Sequence, residues 1–190
     1  GPSDLLYLQW ASDQLRRRRR AALDRRWVIT PAGSIDKIGS FIALFGGNKL
    51  HVAVLTDLAQ GDKNKVQRLR EHDLLKAGHV FTADAYAGQA EADVEDLLGR
   101  PLYVALVNTC YGLSKTRAVP SNRPATAPIR VTKEIEQHFA TLPPSVPEFD
   151  HYTPARYLLE HSTDFVSTLP DPEISAVLDR LESRAFRRLF

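Results

Sequence analysis

The chain has 190 residues, a length that fits one sizeable domain or a domain with a small appendage. Its 43% hydrophobic and 25% charged residues are ordinary for a globular protein, and the formal net charge of +2 does not identify a nucleic-acid partner. The lone cysteine, Cys110, excludes an internal disulfide framework. No apolar run approaches the roughly 20 residues that a membrane helix needs, and no secretory signal is visible. We therefore expect a cytoplasmic protein with no membrane partner.

Hydrophobic spacing predicts an alternation of helices and short strands along the first half of the chain. Proline and glycine clusters separate these segments and mark their ends. The last third shows helical spacing alone. In chain order, we predict a helix over 4–23, a strand over 27–30, a helix over 34–45, a strand over 50–57, a helix over 62–76, a strand over 79–82, helices within 90–99 and over 101–112, 129–141 and 154–161, and a last helix from 172 to the end.

This alternation predicts an α/β fold, with a mostly parallel sheet that is covered by helices. The segment 114–128 is rich in Pro, Ser, Thr and Arg, so we predict a loop or domain junction there. The expected division is an α/β core over 1–113 and a helical domain over 114–190. The helix over 101–112 could belong to either part, and the helix over 129–141 would return to the core.

Acidic side chains occur where an α/β sheet usually binds its ligands. Asp57 closes the predicted strand over 50–57, and ligands of open α/β sheets bind outside the carboxyl ends of strands. The alternative is a solvated carboxylate that closes a strand or caps a helix. Four more carboxylates follow within six residues, and on a helix Glu91 and Glu95 would share a face beside Asp93 and Asp96. Such dense like charges repel unless they are solvated or bind cations.

Other polar residues occur along the chain. The arginine run over 16–20 is either a solvated basic face or a set of phosphate contacts. Lys133 lies on the predicted helix over 129–141, where the residues themselves indicate a surface lysine. The six histidines do not show a zinc-ligand spacing, and we interpret His151 as a packing residue at the start of a helix.

Five segments of the chain carry a family resemblance. They are Gly1-Pro2-Ser3-Asp4-Leu5-Leu6-Tyr7-Leu8, Leu55-Thr56-Asp57, Ala90-Glu91-Ala92-Asp93-Val94-Glu95-Asp96-Leu97, Ile129-Arg130-Val131-Thr132-Lys133 and His151-Tyr152-Thr153-Pro154-Ala155. Together these segments resemble the C-terminal region of the class 2 OLD (overcoming lysogenisation defect) nucleases. The similarity spans almost the whole chain, and it implies a TOPRIM core with a small helical domain. The motif glutamate of that family would fall just before Gly1. The second aspartate at the end of its strand would fall on Ala59, with Asp62 as the nearest substitute.

The resemblance implies a metal-dependent DNA endonuclease that acts through two Mg²⁺ or Mn²⁺ ions, with Ca²⁺ as a non-productive substitute. Asp4 and Asp57 would hold one ion, and Asp57 would also be catalytic. Lys133 would stabilise charge that develops on the scissile phosphate. The longer protein would carry an N-terminal ABC-type ATPase and could form oligomers. The second ion would be held by the carboxylates of the acidic stretch, which are Glu91, Asp93, Glu95 and Asp96.

Two other classes of function remain open at this point. A strand that ends in one aspartate also describes a phosphoacceptor receiver domain, which is a signalling module. The OLD family is expected to have a second aspartate at position 59, where this chain has Ala59. A non-catalytic module for DNA docking or dimerisation is therefore also possible. The chain has no Gly-x-x-x-x-Gly-Lys-Ser/Thr loop, so we expect that it does not hydrolyse ATP itself.

Overall fold

The computed structural model of the chain describes residues 1–75 and 79–182. Within these ranges the protein is mixed α/β and mostly helical, and it contains a small parallel sheet. The elements are α1 Pro2–Arg17, α2 Ile35–Gly47, β1 Val54–Thr56, α3 Lys63–Arg70, β2 Val80–Thr82, α4 Asp84–Ala87, α5 Val94–Leu98, α6 Arg100–Cys110, α7 Val131–Phe139, α8 Tyr152–Glu160, α9 Ser162–Ser167 and α10 Asp171–Arg180.

The sheet consists of β1 and β2, which pair in parallel with Val54 opposite Val80 and Thr56 opposite Thr82. The α3 helix connects the two strands, as expected for a parallel pair. This confirms the α/β class, but the described residues form two short strands rather than a large sheet. The strand predicted over 27–30 is wrong, because this segment is irregular and Val28 is 83% exposed, without apolar packing to hold it.

The larger hydrophobic core lies between α1 and the helices from α5 to α10. The α1 helix buries Tyr7, Trp10 and Leu15 on one face. It ends at Arg17 instead of continuing to 23, because Arg20 turns back to form an ion pair with Glu182. Residues from both sides of the predicted boundary at 113 contribute to this core, and the division into two domains stays a prediction.

A smaller core lies between α2, α3 and the sheet, and it is built around Ile38, Ile42, Val54, Leu69 and Leu75. The helix predicted over 62–76 ends at Arg70. Leu74 therefore lies beyond the helix, and this residue is 45% exposed. Residue 76, where the predicted helix would end, and the predicted continuation of the last helix beyond 182 lie outside the described residues.

The acidic stretch is only partly helical. The α5 helix begins at Val94, and Asp93 is its N-cap with an extended backbone. Glu91 therefore precedes the helix, so the prediction that Glu91 and Glu95 share a helical face is wrong. The helices α6, α7 and α8 agree with their predictions to within about two residues, whereas α9 was not predicted. Among the described residues, no helix has the length and apolar character needed to cross a membrane.

Candidate functional site

Asp57 directly follows β1 and faces the first turn of α5. The backbone N–H of Val94 donates a hydrogen bond of 3.0 Å to its Oδ1 atom. The residue is exposed, yet the neighbouring protein desolvates its carboxyl group and raises its pKa to about 7. The charges of Asp4, Asp93 and Glu95 add to this rise. Asp57 and these three carboxylates come from three distant parts of the sequence. We call the four residues Asp4, Asp57, Asp93 and Glu95 the acid cluster.

Glu95 is the most deeply buried carboxylate of the acid cluster. Its residue is only 3% exposed, and burial raises the pKa of its carboxyl group. The negative charge of Asp4 contributes in the same direction, which shows that the start of α1 lies beside α5. His151, just before α8, contacts the Glu95 Oε1 atom through Nδ1 at 3.3 Å. A buried carboxylate with a cationic neighbour is a candidate for a ligand or an acid–base group.

Asp93 and Asp96, which were predicted as metal ligands, connect α5 to α7 through hydrogen bonds. The two oxygens of Asp96 accept hydrogen bonds from the backbone N–H groups of Asp93 at 2.9 Å and Val131 at 3.0 Å. Asp93 accepts hydrogen bonds from Arg130 at 2.8 Å and from the Thr132 hydroxyl. These partners satisfy both carboxylates. Asp93 and Asp96 thus connect α5 to α7, and their role as ligands of the second ion stays a prediction.

The remaining predicted ligands differ in their positions. Asp4 lies in the first turn of α1, where its side chain is 25% exposed and contacts the Gly1 nitrogen and the Ser3 hydroxyl. Glu91 is partly exposed on the segment before α5, and its charge is not among those that raise the pKa of Asp57. Asp62, the possible substitute for Ala59, lies 4.0 Å from Lys65 and is also not part of the acid cluster.

Lys133 contacts the acid cluster through two intermediate side chains. Its Nζ atom donates to Glu136 at 2.6 Å, and the other oxygen of Glu136 lies 3.3 Å from Nε2 of His151. His151 therefore joins Glu136 to Glu95, and the hydrogen bond with Glu95 raises the pKa of His151 to about 9. We interpreted His151 from sequence as a packing residue, which missed this role. Its partners lie 15 and 56 residues away, so no local sequence signal indicates them.

Two buried tyrosines lie next to Glu95. Tyr7 of α1 and Tyr103 of α6 are 1% and 0% exposed, and their rings pack edge to face at 6.2 Å. Burial raises the pKa of both phenols, and the charge of Glu95 raises it further. The two side chains interact with each other, and no other hydrogen-bond partner of either hydroxyl is found among the described residues.

The acid cluster fits a hard cation by its chemistry. Asp4, Asp57 and Glu95 supply oxygen atoms, which Mg²⁺ and Mn²⁺ prefer, and a bound cation would offset the burial and the neighbouring charges that raise the pKa of Asp57. The geometry does not show such a site: among the described residues, no group of three His, Cys, Asp or Glu side chains could hold a metal ion.

Comparison of this chain with family models, with curated proteins and with solved structures finds no match. The functional assignment therefore depends on the geometry of the acid cluster and on the residues that surround it.

Proposed function

We propose that this chain is the catalytic part of a divalent-metal-dependent DNA endonuclease, within a larger protein that also contains an ATPase. The observation that carries the proposal is Asp57 at the end of β1, where burial, together with the charges of Asp4, Asp93 and Glu95, raises the pKa of its carboxyl group to about 7. Clustered carboxylates with perturbed pKa values in a common site are typical of functional centres.

In this proposal, Asp4, Asp57 and Glu95 would hold Mg²⁺ or Mn²⁺. The cation would supply a nucleophile at neutral pH and stabilise charge on the phosphate. Asp93 and Asp96 would hold α5 against α7, because their oxygens already accept hydrogen bonds from that helix. With Asp93 and Asp96 in this role, fewer carboxylates remain to hold the second predicted ion.

Basic side chains would bind the DNA backbone. Arg17, Arg18 and Arg19 are exposed at the end of α1, whereas Arg20 is held by Glu182. Lys133 is half-exposed on α7 and, released from Glu136, would stabilise the charged phosphate in the transition state. Exposed lysines and arginines near a nuclease centre contribute mainly sequence-independent, salt-dependent affinity.

The direct test is nicking of supercoiled plasmid by the chain with Mn²⁺ or Mg²⁺, without ATP, against an EDTA control. We expect nicking that requires the metal and is lost in Asp4→Asn. Asp13→Asn is the matched control, because Asp13 lies on the same helix and is exposed beside Arg16. Absence of nicking with every divalent cation, or nicking by Asp4→Asn at the wild-type rate, would contradict the proposal.

A second candidate is a non-catalytic module that docks on DNA. Within the described residues, no group of three His, Cys, Asp or Glu side chains could hold a metal ion, and this finding favours the docking module. Calorimetric titration with Mn²⁺ separates the candidates. The nuclease should bind Mn²⁺ more weakly below about pH 7, because protonated Asp57, whose pKa is about 7, cannot be a ligand. The docking module should bind DNA but not Mn²⁺.

The receiver-like alternative stays a prediction. It is tested by incubation with a small phosphodonor, which should phosphorylate Asp57 if the chain is a receiver.

A further inference from the structure

A pocket next to the acid cluster carries a second inference. It has a volume of about 120 Å³, and its lining includes Arg100, Arg123 and Arg180, together with Asp96 and Glu134. The helix α5 carries residues of both: Glu95 belongs to the acid cluster, and the next residue, Asp96, lines the pocket. The pocket and the acid cluster are therefore adjacent.

The hydrogen bonds of the pocket leave positive charge without a carboxylate partner. Arg100 forms a bidentate ion pair with Glu134, at 2.9 and 2.6 Å, so these two charges neutralise each other. Asp96 accepts two backbone hydrogen bonds. Within residues 1–75 and 79–182, Arg123 donates to the carbonyl oxygen of Pro128, and Arg180 donates to backbone carbonyls of α5, with the charge of Asp179 also acting on it. Among the described residues, neither Arg123 nor Arg180 makes a salt bridge.

Arg180 is fixed in the pocket by a close approach to the backbone. Its guanidinium donates to the carbonyl oxygens of Leu97 and Leu98, at 3.0 and 3.1 Å, and passes directly over Gly99. A Cβ atom at Gly99 would lie far too close to Nη2 of Arg180, and the positive φ of +79° also favours glycine. Burial lowers the pKa of this guanidinium. A half-buried cation without a carboxylate partner is costly unless an anion binds beside it.

We propose that this pocket is a subsite for a backbone phosphate of DNA, bound by Arg123 and Arg180, next to the phosphate that is cleaved at the acid cluster. Guanidinium groups match the planar, bidentate geometry of phosphate oxygens. The subsite rests on the proposed nuclease function and adds to it: it would fix the register of the strand relative to Asp57 and Glu95 without reading its sequence.

The test compares Arg123→Gln with Arg156→Gln in binding to a fluorescent DNA duplex. Arg123 is exposed, so we expect its replacement to leave the core unchanged. Arg156 is the control, because it is also an exposed arginine but lies on α8 beside Glu160. Anisotropy is measured in EDTA, across a salt series, so that binding is separated from cleavage. We expect Arg123→Gln to weaken binding about three- to tenfold and to reduce the salt slope by about one, as for one lost phosphate contact. Arg156→Gln should bind like the wild type. Arg123→Lys should keep the salt slope, because the charge is kept, but should lose part of the affinity, because lysine cannot bind phosphate in a bidentate way.

Binding of Arg123→Gln with the wild-type affinity and salt slope would overturn the subsite, even if the chain cleaves DNA. The same holds if the wild-type chain does not bind the duplex. Loss of binding in Arg123→Gln, in a chain that never cleaves, would support the subsite and contradict the nuclease. A third arm titrates inorganic phosphate at constant ionic strength. Tight phosphate binding that depends on Arg123, without duplex binding, would assign the pocket to free phosphate and overturn the DNA proposal.

Discussion

The two hydrophobic regions of the molecule differ in how firmly they hold their side chains. The region between α1 and α5–α10 contains many side chains that are fully buried, and the buried Arg100–Glu134 ion pair ties α6 to α7 within it. The region around β1, β2, α2 and α3 has a small core and exposes Leu44, Leu50 and Leu74. The acid cluster draws on both regions, since Asp57 comes from the smaller one and Asp4 and Glu95 come from the larger one.

This difference indicates how the site is assembled. The larger region presents Asp4 and Glu95 on helices that are packed on several sides. Asp57 is brought to them by two contacts: the bridge between Leu58 and Ala92, and the hydrogen bond from Val94. The position of Asp57 therefore depends on the contact between the two regions, and loosening this contact would change activity before it unfolds the larger core.

The largest effect is expected for Asp57→Asn, which removes the contribution of the smaller region to the site. A bound cation supplies several kcal/mol of charge stabilisation in the transition state. Loss of about 4 kcal/mol would lower the nicking rate about a thousandfold. The fold should be unchanged, because Asp57 is exposed and Asn can accept the Val94 hydrogen bond. Plasmid nicking with Mn²⁺ measures the rate, and Asp62→Asn is the control outside the acid cluster. Equal rates for Asp57→Asn and the wild type would remove Asp57 from the site.

The next effect concerns stability and compares the two cores directly. Leu158 of α8 and Ile42 of α2 are both fully buried. We expect Leu158→Ala to lower the free energy of unfolding by about 4 kcal/mol and Ile42→Ala by about 2–3 kcal/mol, since the smaller core can collapse around a cavity more easily. Urea unfolding followed by circular dichroism gives both values. A larger loss for Ile42→Ala would reverse the comparison.

A somewhat smaller effect is expected for Lys133→Ala, which tests the predicted catalytic lysine. If Lys133 stabilises charge in the transition state, the saturated nicking rate should fall about a hundredfold, whereas DNA affinity should change little. Lys65→Ala is the control, because Lys65 lies on α3 in the smaller region and pairs with Asp36. Equal losses of rate and affinity would show that Lys133 only binds the backbone or only holds Glu136.

Local patterns in the sequence were sufficient to predict the positions of several elements. Strand β1 follows from the apolar run that ends at Asp57, and α6 and α7 follow from helical spacing, since these signals extend over neighbouring residues. The false strand over 27–30 had the right residue types. Among the described residues, no strand pairs with this segment. Strand pairing is a tertiary property, so a local sequence pattern cannot predict it.

The chemistry of the acidic stretch could be predicted only in part. The sequence shows that Asp93 and Asp96 are close to Glu95, but their partners in α7 lie 35 to 39 residues further along the chain. The same is true of His151 and Glu95. Whether a carboxylate accepts a structural hydrogen bond or stays open to a ligand is decided by contacts between distant segments.

The smallest effect is expected for His151→Gln, which tests the link from Glu95 to Glu136 within the larger region. The hydrogen bond with Glu95 raises the pKa of His151 from 6.5 to about 9, so folding favours the protonated ring. The stabilisation is fully present below about pH 6.5 and is lost as the pH rises through about 9. Because the side chain is 46% exposed, screening by water limits this stabilisation to about 1 kcal/mol or less.

Urea unfolding near pH 6 should therefore show His151→Gln as less stable than the wild type, and the difference should vanish near pH 10. His138→Gln is the control, since that ring contacts the backbone carbonyl of Arg117 and no carboxylate partner is seen for it among the described residues. A loss of stability in His151→Gln that is the same at both pH values would show that His151 acts through packing, as the sequence alone suggests, and not through its charge.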